Sequence, residues 1–197
     1  ALRRAGQVGE RRRRQARRQN LLRRRLAALG DAAARAAVEA QDLASRLGLR
    51  RGALLVAAAE AQGAFRRAVV LLVGVDATTV RGVVLGGGPS AGLSAVAALP
   101  AGARLAGGSH PWVLVHALAC PLSASDQPSL CADMPLFAEQ HLSRTAAQRL
   151  RDHVVGLGEQ TALLQGGLEW RTARLAEAVR RGDWSVAAWR AADARWW

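Results

Sequence analysis

The first part of the chain has the residue pattern of a long helix. Residues 9–47 contain no proline, and apart from Gly9 and Gly30 they consist mainly of strong helix formers. Apolar residues recur every three or four positions, which is the heptad spacing of a helix seam. This seam consists of Leu22, Leu26, Leu29, Ala33, Ala36, Ala40, Leu43 and Leu47. Gly48 follows directly, and glycine commonly ends a helix, so we predict that the helix ends there.

The centre of this seam is made of alanine, which allows the helix to approach another surface closely. One interpretation is a docking helix for a partner protein. The other is an amphipathic helix that lies on the protein's own domain. The pattern itself is compatible with both.

After Gly48 the pattern changes to short apolar runs separated by turns. Runs of this kind predict strands, here over residues 52–57, 67–73, 83–85, 104–106, 112–117, 154–157 and 184–188. Helical spacing predicts helices over 136–151 and 169–181, and residues 121–135 have the composition of a loop. Strands and helices that do not alternate strictly are typical of an α+β domain.

The length of 197 residues suits one domain with extensions. We therefore divide the chain into an Arg-rich helical extension (1–48), an α+β domain (49–190) and a Trp/Arg tail (191–197). Residues 1–30 carry eleven arginines against the single acid Glu10, whereas the rest of the chain has a net charge of only +3. A positive extension on a nearly neutral domain predicts a negative partner: an acidic subunit, rRNA or anionic lipid. The candidate anion-binding residues are Arg11, Arg12, Arg13, Arg14, Arg17, Arg18, Arg23, Arg24 and Arg25.

Five of the six tryptophans lie at or after Trp170. Because exposed tryptophan is costly in water, those at the end of the chain require a buried seat on this protein or on a neighbour. Tryptophan beside arginine is also typical of interface hot spots. The candidate partner-docking residues are Trp189, Trp196 and Trp197.

Four groups of motifs follow one another over about residues 49–190. They are 52–57 (Gly-Ala-Leu-Leu-Val-Ala) with 65–72 (Phe-Arg-Arg-Ala-Val-Val-Leu-Leu), 81–85 (Arg-Gly-Val-Val-Leu), 105–109 (Leu-Ala-Gly-Gly-Ser) with 115–116 (Val-His), and 167–170 (Gly-Leu-Glu-Trp) with Arg174, Leu175, Glu177, Gly182 and Trp184. In this order they resemble the AlgH/YqgE family of small bacterial and plastid proteins. The resemblance implies an AlgH-like α+β domain with bifurcated sheets and a small barrel-like core.

Three positions depart from the family pattern. Gly86 stands where the family carries Asn, Ser109 where it carries Pro, and Arg174 where it carries Gln. If the family has a polar pocket, its side-chain donors are lost here. The family has no settled catalytic activity, so the resemblance implies a fold and no reaction.

No combination of residues predicts catalysis. The glycine run at 86–88 lacks the lysine of a phosphate loop, since the chain contains no lysine at all. His116 has no nucleophile motif beside it, so a core or surface histidine is the better interpretation. Cys120 and Cys131 lack metal-site spacing; two unrelated thiols are favoured over a disulfide. We therefore predict no catalytic, metal or cofactor site, and no enzyme.

These observations together predict a non-catalytic accessory subunit of a large organellar assembly. Such an assembly is a mitochondrial or chloroplast ribosome, or a respiratory or photosynthetic complex. The Arg-rich, acid-poor start resembles an organellar transit peptide. No apolar run of the sequence approaches the length of a membrane span. The alternative is a free AlgH-like regulatory or binding protein without stable membership of a complex.

Overall fold

The structure is a computed structural model that describes residues 27, 30–58, 65–86, 99–100, 102–106, 112–118, 122, 129–131 and 135–189. Contacts divide the chain into two compact units, Ala1–Glu39 and Ala40–Trp197. Helix α1 is described over residues 30–46, and the division between the units falls within it. The helix ends before Gly48, whose φ of 75° is easily adopted only by glycine. The expected helix stop at this glycine is confirmed, whereas the predicted helical residues before 27 lie outside the described part.

The second unit contains nine described strands and two further helices. In chain order these are β1 (Ala53–Ala57), β2 (Val69–Val75), β3 (Thr79–Gly86), β4 (Ala103–Ala106), β5 (Trp112–His116), β6 (Phe137–Leu142), α2 (Arg144–Gly156), β7 (Thr161–Gln165), β8 (Gly167–Arg171), α3 (Thr172–Arg180) and β9 (Trp184–Ala188). Helices and strands occur in one unit without strict alternation, so the α+β class is confirmed.

The strands form two antiparallel sheets. One has six strands in the order β4-β8-β3-β2-β1-β9, and the other has three in the order β6-β5-β7. Every described pair is antiparallel. The described strands form no closed barrel, which corrects the barrel-like core that the family resemblance implied.

The six-stranded sheet has a core on each face because neighbouring residues of a strand point in opposite directions. Leu55 of β1 packs with Trp170 and with Leu175 of α3 in one core. Trp170 also meets Trp184 edge to face, with ring centroids 6.1 Å apart. Leu54, next to Leu55, belongs to a second core that joins this sheet to the three-stranded sheet.

The predicted strands at 52–57, 67–73, 83–85, 104–106, 112–117 and 184–188 are confirmed, with shifts of a few residues at their ends. The helix predicted over 136–151 is wrong in its first half. There the chain forms β6, which pairs with β5. Helix α2 starts only after Ser143, whose hydroxyl accepts the N–H of Ala146 at 3.2 Å as an N-cap.

The segment between α2 and α3 also differs from the sequence prediction. The predicted strand at 154–157 is the end of α2, and Val154 packs against the core from there. Strands β7 and β8 were not predicted, and the helix expected from 169 begins at Thr172. Gly166, with φ 77°, lies between these strands, where the chain passes from the three-stranded to the six-stranded sheet. Among the described helices, none combines the length and apolar character needed to cross a bilayer.

Candidate functional site

A buried pair of ionisable side chains, His116 and Glu139, lies on the three-stranded sheet. Val113 and Val115 of β5 point toward the six-stranded sheet, so His116 points away from it. Pairing of β5 with β6 brings Glu139 close to it, and the imidazole Nε2 lies 3.4 Å from the carboxylate Oε1. The exposed fraction is 0% for His116 and 6% for Glu139.

Two further groups approach the Glu139 carboxylate. The backbone N–H of Leu122 donates to Oε1 at 2.9 Å. Burial lowers the pKa of Arg51, and the nearby charge of Glu139 opposes that effect. The cluster thus ties the segment before β1 to the second sheet through one buried carboxylate.

The burial of this cluster favours a structural role over a catalytic one. A histidine and a carboxylate can exchange protons with a substrate only if the substrate reaches them, and both side chains lie inside the core. Nδ1 of His116 is buried and has no hydrogen-bond partner among the residues that the structure describes. Within the described residues, no three side chains of the metal-binding types come together.

The end of α1, the α1–β1 loop and the edge strand β9 enclose a groove of about 610 Å³. Its polar lining consists of Gln41, Ser45, Arg50 and Arg51, and its apolar part includes Leu47, Val75 and Val186. None of the described residues of this lining is acidic. The groove lies entirely within the second compact unit, and it is the concave surface that we consider for binding.

Strand β9 forms one side of this groove and one edge of the six-stranded sheet. Of the described strands, only β1 pairs with it. The N–H of Ala58 donates to the carbonyl of Asp183 at 3.0 Å, at the end of that ladder. Bonded and non-bonded pairs alternate along an antiparallel ladder, so the backbone groups of Trp184, Val186 and Ala188 face away from β1.

A second charged cluster crosses the opposite end of the six-stranded sheet. Glu169 of β8 lies directly opposite Arg104 of β4 on one side and directly opposite Arg81 of β3 on the other. Nε of Arg104 donates to Oε1 of Glu169 at 2.7 Å, and Nε of Arg81 lies 3.9 Å from Oε2. Opposite charges placed directly across strands stabilise a sheet modestly, so this cluster also has a structural explanation.

The structure describes one of the twelve residues that the sequence predicted for binding. Trp189 is only 6% exposed and packs in the core between the two sheets. Its carbonyl also accepts the thiol of Cys131 at 3.7 Å. The ring of Trp189 is therefore seated on its own chain, which differs from the docking role predicted for it. The nine arginines at 11–14, 17–18 and 23–25, together with Trp196 and Trp197, lie outside the described residues.

The groove and the buried cluster were both missed at the level of sequence. Arg50 and Arg51 stand together between two glycines, Gly48 and Gly52, and this was the one visible signal. Glu139 lay inside a stretch predicted as helix, so its position opposite β5 was hidden. Cys131 is a buried free thiol.

Comparison with known proteins yields little that bears on identity. No family model and no curated protein matches the chain. A crystal structure of the protein DIP2367 from Corynebacterium diphtheriae is similar at 24% sequence identity and a TM-score of 0.47. The similarity covers 72% of this chain and 77% of that one. The resemblance to the AlgH/YqgE family remains a prediction from the motifs.

Proposed function

We propose that the protein is a non-catalytic accessory subunit of a large assembly in a mitochondrion or chloroplast. The assembly would be a ribosome or a respiratory or photosynthetic complex. Residues 1–30 would attach the subunit to acidic protein, rRNA or anionic lipid. The domain that follows would be a divergent AlgH-like α+β domain.

The observation that carries this proposal is the difference in charge compensation between the two parts of the chain. In the domain, carboxylates lie beside cationic side chains: Glu169 beside Arg81 and Arg104, and Glu177 beside Arg180. The eleven arginines of residues 1–30 share one local acid, Glu10. Concentrated charge of this kind costs self-repulsion unless a partner of opposite sign neutralises it.

The chemistry of the described sites is compatible with a binding role. The buried histidine–carboxylate pair of the domain is closed to solvent and holds two parts of the fold together. Catalytic pairs need contact with a substrate. The groove beside β9 is lined by arginine, amide, hydroxyl and apolar groups, which suits binding better than bond breaking.

The salt dependence of association tests the role of residues 1–30. The full chain and a variant with the nine candidate arginines changed to glutamine would be compared by sedimentation with the native assembly. A matched control changes exposed arginines of α2, Arg149→Gln and Arg151→Gln. We expect the wild type and the control to co-sediment and to dissociate as salt rises, because each arginine–phosphate or arginine–carboxylate contact is screened.

The nine-arginine variant should be released at much lower salt than the control. Association that is unchanged in this variant and insensitive to salt would contradict the proposal. Recovery of the native protein as a free monomer would instead support the alternative, a free AlgH-like regulatory or binding protein.

A further inference from the structure

We propose that the groove beside β9 binds an extended acidic peptide segment of a protein partner. The segment adds to β9 as a further strand and places a carboxylate beside Arg50. This inference concerns the domain alone and requires no contact by residues 1–30. It therefore does not depend on the proposed organellar role.

The first argument is the state of the β9 edge. Val186 and Ala188 direct their backbone N–H and C=O groups away from β1, and both residues line the groove. Open edges are usually protected by charged residues, proline or a bulge. Trp184–Ala188 contains no charge and no proline, and its register with β1 is regular. An added strand finds both its hydrogen-bonding groups and room above the small Ala187 and Ala188.

The second argument is the charge of the groove. The described residues of its lining include two arginines and no carboxylate. Arg51 already interacts electrostatically with the buried Glu139, so we do not assign the carboxylate of the peptide to Arg51. Arg50, by contrast, is exposed, and none of the ion pairs between described residues includes it. The loop places it near Ala53, which pairs with Ala188, so a carboxylate of the added strand meets Arg50 at the Ala188 end of β9.

The third argument is the apolar part of the lining. Leu47 and Val75 line the groove and are only half-buried. An apolar side chain of the added strand would cover the part of these residues that is still exposed, and burial of apolar surface favours binding.

A second copy of this chain is a weaker candidate for the same edge. Pairing of two β9 strands would bring Asp183 of each copy toward the arginine end of the other. That carboxylate is already bound by Arg181 at 2.7 Å, and each copy carries a net charge of +13. Nucleic acid fits less well, because it cannot continue the backbone ladder of a sheet.

Three peptides bearing a fluorophore would be titrated into the full-length protein. The first is an eight-residue peptide of alternating valine and glutamate. The second has the same sequence but N-methyl groups on alternate backbone nitrogens, and the third carries lysine in place of glutamate. The N-methylated peptide controls for binding to residues 1–30, because it keeps the charge and loses the strand donors. We expect the first peptide to bind at least about tenfold more tightly than either of the other two.

Two variants that change the net charge of the protein by the same amount test whether the peptide binds beside Arg50. Arg50→Glu should weaken binding of the first peptide by about tenfold or more. Arg46→Glu changes an exposed arginine of α1 that does not line the groove, and should weaken it by less than about twofold. Amide hydrogen exchange should slow at Val186 and Ala188 when the first peptide is added and not when the N-methylated peptide is added.

Equal affinity for the first and N-methylated peptides, or equal effects of the two substitutions, would overturn the proposal. So would a protein that is dimeric before peptide is added and whose β9 amides are already protected. The nine-arginine variant described above should retain selective binding of the first peptide. Loss of association with the assembly and loss of groove binding are therefore separate results.

Discussion

The backbone carbonyl of Leu130 occupies the space that a β-carbon on Gly52 would need. Gly52 also has φ 82°, a conformation that residues with a side chain rarely adopt. The N–H of Gly52 donates to Leu72 at 2.8 Å, which sets the start of β1 against β2. The glycine that opens the first family-like motif is thus needed for both its backbone angle and its missing side chain.

Replacing this glycine should therefore destabilise the domain strongly. We expect Gly52→Ala to lower the free energy of unfolding by about 3 kcal/mol or more, since both strain and overlap with backbone oppose the side chain. The measurement is equilibrium unfolding in urea. Gly156→Ala in α2 is the matched control, because no atom lies near its added β-carbon, and it should be neutral or stabilising. Equal effects of the two changes would contradict this account.

The buried carboxylate should contribute to stability through its partners. Glu139→Ala removes the acceptor for Leu122 and leaves the charge of Arg51 uncompensated, so we expect a loss of about 3 kcal/mol in unfolding free energy. Glu139→Gln keeps an acceptor and should cost less. Glu177→Ala removes the exposed partner of Arg180 and should change the free energy of unfolding far less, because water and salt screen an exposed ion pair. If Glu139→Ala lowers the free energy of unfolding no more than Glu177→Ala does, the cluster around Glu139 does not stabilise the fold as described.

Asp76 should make stability depend on acid pH. Although burial tends to raise its pKa, hydrogen bonds from Thr78 and Thr79 outweigh that effect, and the pKa lies below its ordinary value of 3.8. Because the pKa of Asp76 is lower in the folded than in the unfolded protein, its ionised carboxylate stabilises the fold fully at pH values above 3.8. This stabilisation is lost as the pH falls through the lowered pKa of the folded protein and the carboxylate is protonated. Asp76→Asn should remove this part of the acid dependence, measured by urea unfolding at several pH values.

The control for that experiment is Asp152→Asn, which changes an exposed carboxylate of α2 that accepts one hydrogen bond from Gln148. This control shows how replacing an exposed carboxylate by an amide changes urea unfolding at each pH. If Asp76→Asn and the wild type lose stability in parallel below pH 3.8, the turn formed by Asp76 does not act as described. At neutral pH the substitution itself should cost about 1 kcal/mol.

The terminal tryptophans should separate into two classes. Trp189→Ala leaves a cavity in the core and should lower the free energy of unfolding by about 3–4 kcal/mol. Trp196→Ala with Trp197→Ala should leave unfolding in urea unchanged and weaken association with the assembly, if those residues dock on a partner as predicted. A stability loss equal to that of Trp189→Ala would place all three in this domain's core.

Local pattern was sufficient for several elements. Strands β1, β5 and β9 are short, mainly apolar runs that follow Gly52, Pro111 and Gly182-Asp183, and such runs have few alternatives as secondary structure. Local pattern failed at β6, where residues 136–151 have helical spacing throughout. Pairing with β5 overrides that spacing in residues 137–142, because a sheet partner from a distant part of the chain supplies hydrogen bonds and a buried face.

The amino-acid order alone determined the α+β class, the helix end at Gly48 and the concentration of positive charge in residues 1–30. These depend on composition and on neighbours within a few positions. Only the tertiary structure decided that His116 meets Glu139, that Trp189 is enclosed, and that Gln41, Arg50 and Val186 line one groove. These relationships depend on sheet register and helix packing between residues up to about 145 positions apart, and no short-range pattern encodes such distances.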